Sequence, residues 1–179
     1  LPSQDMLSGK GEIIKYGFLS SEINELIHKG NLPLEDLVLK CAHYKQEVVN
    51  RDPFEQGERI HLNLGHTLGH ALEFTLRIPH GLAVAMGIKY LFQGLELKES
   101  VKEFERLAKK LDFDQEKIDL ANYARFDRQD FWATMAHDKK RQENDLKLIV
   151  VEEIGKPTIR PMPLNQLRHR LETITVFKG

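Results

Sequence analysis

Two apolar helical segments, residues 64–76 and 83–95, constrain this chain more than any other feature. Their apolar residues recur at helical spacing and do not alternate, so both read as helices. Such a pair must be covered by the rest of the chain, which predicts a mainly helical fold with the pair as its core. Chemistry gathers where the two segments meet. Arg59 to Gly81 reads RIHLNLGHTLGHALEFTLRIPHG and holds His66, His70 and His80, with Arg59, His61, Asn63 and Glu73 close by.

Imidazole is the commonest transition-metal ligand and the side chain best suited to moving protons near neutral pH. On a helix His66 and His70 stand at i and i+4, on one face and within reach of a shared ion or substrate. His80 follows Pro79, so it comes from a turn or from the start of the next helix. H-x-x-x-H alone is a weak signal, and two histidines so spaced are more often a solvated or hydrogen-bonded pair. No H-E-x-x-H is present, so a metalloprotease would lack its general base. Gly65 and Gly69 each precede a histidine within a helical pattern. A glycine there costs about 1 kcal/mol relative to alanine, which points to close approach of a backbone or a ligand.

The 179 residues suffice for one domain whose core needs no disulfide or metal staple. Twenty-six basic and 27 acidic residues leave a formal charge of −1, which argues against a bulk nucleic-acid binder. The clusters Lys109-Lys110, Lys139-Lys140-Arg141 and Arg168-His169-Arg170 read as solvated helix faces. Cys41 is the single cysteine and cannot form an internal disulfide. Its context, LVLKCAHY, reads as an amphipathic helix with a buried free thiol, which fits a reducing cytoplasm. No apolar run approaches the roughly 20 residues of a membrane span, and no secretory signal opens the chain. A cytoplasmic protein without a membrane is therefore expected. The first residue is Leu1, which suggests a fragment or a processed product.

Further helices are expected over residues 6–16, 20–28, 33–49, 100–111 and 127–137. Ser20-Ser21 caps the second and Gly30 stops it. Pro33 opens the third, and Asp52-Pro53 ends it. Leu146 to Glu152 (LKLIVVE) is a β-branched strand, and Thr158 to Arg160 can return as its hairpin partner. Leu164 to Thr173 closes the chain as a helix. The fold class is thus a multi-helical domain with a small β-hairpin near the C-terminus. No glycine-rich strand–turn–helix is present, so there is no dinucleotide fingerprint or P-loop.

Three more patches belong with the histidines. GKGEIIKYG supplies Glu12 and Lys15, three apart on one helical face. HYKQEVVNRDPFEQGER supplies Lys45, Glu55 and Arg59, and MAHDKK supplies Asp138, Lys139 and Lys140. Each alone fits an ordinary ion pair, a charged loop or a basic helix end. Together with LNLGHTLGHALE and PHG, in this order, they resemble 3-dehydroquinate synthase and, more broadly, the sugar-phosphate cyclases. The resemblance runs from Leu1-Pro2 to about Gly155 and covers only that family's carboxy-terminal, helical domain. It implies that the amino-terminal domain, which binds most of the NAD, is absent from this chain.

By that resemblance Glu12, His66 and His80 match zinc ligands (cobalt being the other metal expected), a set that leaves open positions on the ion. Lys15, Lys45, Arg59, Asn63 and one of Lys139 or Lys140 match positions that bind a substrate bearing a carboxylate and a phosphate. Glu55 and His70 match proton-transfer groups. The implied reaction converts 3-deoxy-D-arabino-heptulosonate 7-phosphate to 3-dehydroquinate and phosphate in the shikimate pathway, and a homodimer is implied with it. The isolated chain is expected to be inactive or nearly so, because the family's site lies between two domains. Another sugar-phosphate cyclase, such as a 2-deoxy-scyllo-inosose synthase type, is an alternative. So are a metal-dependent alcohol dehydrogenase of related fold and a non-catalytic helical assembly domain. Two positions depart from the family pattern. Leu82 stands where a glutamate often follows H-G, which implies the loss of a carboxylate that orients the metal site. Lys10 replaces a usual apolar residue.

Overall fold

A computed structural model describes residues 3–140 and 145–178, with the side chains of residues 3 and 138–140 outside that description. Helix α1 (Ser3–Leu19) starts earlier than the sequence pattern suggests and continues through Gly9 and Gly11. Helix α2 (Ser21–Lys29) is capped as expected: the Ser20 hydroxyl accepts from the Ile23 N–H, and Gly30 ends the helix at φ 63°. Helix α3 (Leu34–Arg51) follows Pro33 and stops at Asp52. The apolar pair forms α4 (His66–Leu76) and α5 (His80–Gly94). Helices α6 (Lys98–Lys110), α7 (Arg128–Lys140) and α8 (Leu164–Leu171) complete the helical layer.

The hairpin pairs β1 (Leu146–Val150) with β2 (Thr158–Met162), antiparallel, with Leu146 opposite Met162. Strand β2 runs past Arg160 through Pro161. A proline lacks the N–H of a ladder bond, and a two-stranded sheet leaves it an outer edge to occupy. The hairpin seats on the helices by two bonds: Gly155 N–H donates to the Phe18 carbonyl, and the buried Ser100 hydroxyl donates to the Val151 carbonyl at 2.7 Å.

Helix α5 is the centre. Residues Gly81 to Ile88 are all buried, and α1, α4, α6 and α8 pack around it. Each fully buried Leu, Ile, Val, Phe or Met side chain contributes about 1.5–3 kcal/mol, so this one helix anchors the domain. Glycines let the backbones touch it. A Cβ at Gly11 would overlap the Gly81 carbonyl oxygen, and a Cβ at Gly87 would overlap that of Gly65. The expected helix over 64–76 begins two residues late for the same reason. Gly65 takes φ 80° as it meets Gly87, and residues 58–63 wind as a 3-10 turn ahead of it. Helix α6 is amphipathic as its sequence suggests, burying Phe104, Leu107 and Ala108. Cys41 is buried and free. No helix among the described residues is long and apolar enough to cross a membrane.

Candidate metal and substrate site

Three backbones converge here. Helix α1 carries Glu12, while His66 and His80 are the first residues of α4 and α5. The Gly11–Gly81 contact sets α1 on α5, and the Gly65–Gly87 contact sets α4 on α5. Ser8, one turn before Glu12, adds a stitch: its hydroxyl accepts from the Gly81 N–H at 2.9 Å, satisfying an orphan donor of the α5 N-terminus beside His80. One ligand atom from each of Glu12, His66 and His80 therefore lies within 4.8 Å of the others. His70 joins the group, its ring centroid 5.2 Å from that of His66 and 5.9 Å from that of His80.

The bonds on the far side of each ring decide which nitrogen faces inward. His66 Nδ1 lies 3.1 Å from the Leu64 carbonyl oxygen. A carbonyl only accepts, so Nδ1 carries the proton and Nε2 keeps its lone pair. His80 Nδ1 lies 2.7 Å from Glu73 Oε2, and its Nε2 stands 3.8 Å from Glu12 Oε1. Glu12 Oε2 accepts from Lys15 Nζ at 2.6 Å. Its Oε1 is buried and has no hydrogen-bond partner among the described residues. An unpaired buried acceptor costs about 1–3 kcal/mol, more when charged, so this oxygen calls for a cation. One carboxylate and two imidazoles are a donor set that zinc accepts. The residues present fit the metal.

Electrostatics supports a neutral His66. Burial, helped by the Lys15 charge, pulls the His66 pKa down to about 4, so the ring is uncharged near neutral pH. Lys15 is only 4% exposed. Burial lowers its pKa while Glu12 opposes the fall, and Lys45 adds to the lowering as a like charge. The two lysines therefore act on one region, the arrangement an anionic ligand needs. Burial pushes the Cys41 thiol up to about 12, and Glu12 adds to the rise, so this cysteine is inert near neutral pH.

The loop over residues 52–63 is organised from within. The Asp52 carboxylate accepts from the N–H groups of Gln56, Gly57 and Arg59 at 2.9, 2.8 and 3.0 Å. The Arg59 and Gln56 bonds hold its pKa below the usual carboxylate range. Arg51 grips Glu58 with Nε and Nη2 at 2.6 and 3.3 Å, closing the loop at its base. Asn63 Nδ2 donates to Glu55 Oε1 at 2.8 Å, and Arg59 Nη1 donates to the Pro53 carbonyl at 2.8 Å. Glu55 sits at φ 54°, in the left-handed region. A non-glycine residue there costs on the order of 1–3 kcal/mol, and such strain clusters at functional sites.

Of the residues singled out in sequence, Glu12, Lys15, His66, His70 and His80 come together. His80 comes from the start of a helix, one of the two origins its place after Pro79 allows. Glu55, Arg59 and Asn63 share the loop just ahead of His66, and Lys45 is exposed on α3. The side chains of Lys139 and Lys140 lie outside the described residues. Lys10, the departure on α1, extends its head to the Asp112 carbonyl at 2.9 Å. Sequence reasoning gave no role to Ser8 or Glu73, and to Asp52 only the end of α3. For Glu73 a signal existed, since residues 66, 70 and 73 line one helical stripe.

Solved structures of similar fold cover nearly the whole chain. It is similar to 2-deoxy-scyllo-inosose synthase complexed with carbaglucose-6-phosphate, NAD+ and Co2+, at TM-score 0.71 and 21% identity, over 96% of this chain and 52% of that one. It is also similar to 2-epi-5-epi-valiolone synthase from Streptomyces hygroscopicus with NAD+ and Zn2+ bound, at TM-score 0.72 and 15% identity, over 98% of this chain and 52% of that one. Residues 9–141 match the family described as 3-dehydroquinate synthase C-terminal, and the chain belongs to that family. The 3-dehydroquinate synthase of Staphylococcus carnosus is 35% identical over 173 residues, 89% of this chain and 47% of that protein. That of Streptococcus thermophilus is 29% identical over 184 residues, 96% of this chain and 51% of that protein. The chain spans about half the length of these curated relatives.

Proposed function

We propose that this chain is the metal- and substrate-binding half of a 3-dehydroquinate synthase, acting with an NAD-binding domain supplied from outside these 179 residues. The observation that carries the reading is the convergence of Glu12, His66 and His80, with Glu12 Oε1 buried and without a hydrogen-bond partner among the described residues, beside the buried Lys15. Glu12, His66 and His80 would hold zinc, or cobalt in its place. When bound, the metal supplies a Lewis acid for substrate hydroxyls.

The remaining residues bind, orient and move protons. Lys15 and Lys45 offer ammonium charges to the carboxylate and phosphate of 3-deoxy-D-arabino-heptulosonate 7-phosphate, with one of Lys139 or Lys140 as a further cation. The Arg59 guanidinium is a planar fork suited to either anion. Asn63 orients the Glu55 carboxylate by the bond already formed between them. Glu55 and His70 then serve as proton-transfer groups close to the substrate. The products are 3-dehydroquinate and phosphate, in the shikimate pathway. A homodimer in the cytoplasm belongs to the same reading, and light scattering of the assembled protein tests the dimer.

Phosphate release tests the function. The chain is incubated with zinc, NAD and the seven-carbon substrate, before and after adding a separately made NAD-binding domain from a curated relative. Release only after addition is expected, because this chain alone holds no dinucleotide fingerprint. Release from other sugar phosphates and not from this one would favour the alternative cyclase. No release in any mixture, from a folded chain carrying zinc, would overturn the enzymatic reading.

A further inference from the structure

Leu82 stands where the family pattern often has a glutamate, so the first turn of α5 offers His80 no carboxylate at that position. Glu73, on α4, reaches across to His80, and its Oε2 lies 2.7 Å from His80 Nδ1. Leu82 itself is 2% exposed and belongs to the hydrophobic core. We propose that Glu73 is the positioning residue for His80: its carboxylate fixes Nδ1 as the protonated nitrogen and so aims the Nε2 lone pair at Glu12 and His66. The proposal rests on the reading that Glu12, His66 and His80 hold a metal.

The need for such a residue follows from burial. The His66 ring is half-buried, and its Nδ1 is held by the Leu64 carbonyl. His80 is 42% exposed in its side chain, so packing leaves its ring free to rotate and to change tautomer. A half-turn of the imidazole about Cβ–Cγ would put the carbon Cε1 where Nε2 stands and lose the site. An ionised carboxylate accepts and cannot donate, so the bond is compatible only with Nδ1–H. The negative charge also makes the opposite nitrogen a better electron donor, as carboxylate partners of metal-bound histidines do. Glu73 gains this position from its helix. His66 opens α4, and Glu73 lies seven residues on, two turns along the same face, level with the incoming first turn of α5.

The test is a zinc titration of the 179-residue chain against a chromophoric chelator, with the visible spectrum of the Co2+ form recorded in parallel. Glu73→Ala is expected to weaken zinc binding about 10–100-fold, as loss of an outer partner of a metal ligand does. It should shift the Co2+ bands while leaving the unfolding midpoint of the metal-free chain unchanged. Glu73→Gln, which keeps an acceptor oxygen without the charge, should recover part of the affinity. Unchanged affinity and spectrum in Glu73→Ala, with binding abolished in His80→Ala, would overturn the proposal and leave the metal site standing. A drop in the metal-free midpoint that accounts for the lost affinity would assign Glu73 a purely structural role and overturn it too. If the unaltered chain takes up neither metal stoichiometrically, the metal reading fails first, and the variants are not needed to see it.

Discussion

Glu12, His66 and His80 are held by helix backbones in direct contact, whereas Glu55, Arg59 and Asn63 hang on an exposed loop tied by its own side chains. The first region depends on glycines at Gly11, Gly65, Gly81 and Gly87, where a methyl group would meet a carbonyl or a side chain of the facing segment. The second depends on Asp52, whose carboxylate gathers three N–H groups, and on the Arg51–Glu58 clamp. The difference follows the chemistry each region would perform. A metal tolerates errors of only about 0.2 Å in its ligand distances, so its donors belong on rigid elements. Groups that meet a flexible sugar phosphate gain from a loop positioned on that scaffold.

Changes to the donors should have the largest effect. His66→Ala should abolish stoichiometric zinc, a loss of more than the roughly 100-fold that even an outer partner can cost. Metal analysis after dialysis checks this, and unchanged zinc content would remove His66 from the ligand set. Next comes the scaffold beneath the donors. Gly11→Ala forces a methyl group into the Gly81 carbonyl and should destabilise the chain by about 1–3 kcal/mol or more. Gly9→Ala, one half-turn away in the same helix, meets nothing within 4 Å and should be neutral or stabilising by up to about 1 kcal/mol. Urea unfolding of the two variants separates helix propensity from backbone contact. Equal midpoints would show that the α1–α5 approach tolerates a side chain, and the contrast between the regions would weaken.

The smallest effect should appear in acid, and the two regions should give way at different pH. At His66 the folded-state pKa, about 4, lies below the ordinary 6.5. The unfolded chain therefore takes up a proton that the folded chain refuses, and stability is lost as pH falls from 6.5 toward 4. At Asp52 the folded pKa lies below the ordinary 3.8, so the loop keeps its ordering charge until the pH falls further. Urea midpoints of the metal-free chain should decline between pH 6.5 and 4 in the unaltered protein. The decline should be shallower in His66→Ala. Parallel profiles would show that His66 is not shielded from protons as its burial implies.

Much of the fold could be read from local signals. The Ser20 cap, the Gly30 stop, the Pro33 opening and the β-branched run of β1 each act within a few residues, so the sequence displays them directly. The start of α4 was not legible. The 64–76 pattern is helical throughout, but Gly65 is drawn into a left-handed turn by a contact with Gly87, twenty-two residues on. The 3-10 turn over residues 58–63 went unread because its order comes from Asp52 and Arg51 upstream, and no apolar period marks it. In the site, the histidine spacing and the family motifs singled out Glu12, His66 and His80 in advance. Glu73 had the right spacing to be suspected, yet its partner on the next helix was needed to give it a role. Ser8 gave no signal at all, since its bond is to a backbone N–H seventy-three residues away.

The sequence alone determined which residues could carry the chemistry and that two apolar helices would form the centre, because side-chain identity and periodicity are local properties. Only the tertiary structure decided that one oxygen of Glu12 is buried with no hydrogen-bond partner among the described residues, that Nδ1 of His66 faces the Leu64 carbonyl, and that the carboxylate beside Nδ1 of His80 comes from α4. Those outcomes depend on how three helix backbones meet at their glycines, and that meeting is a property of packing between segments distant in the chain.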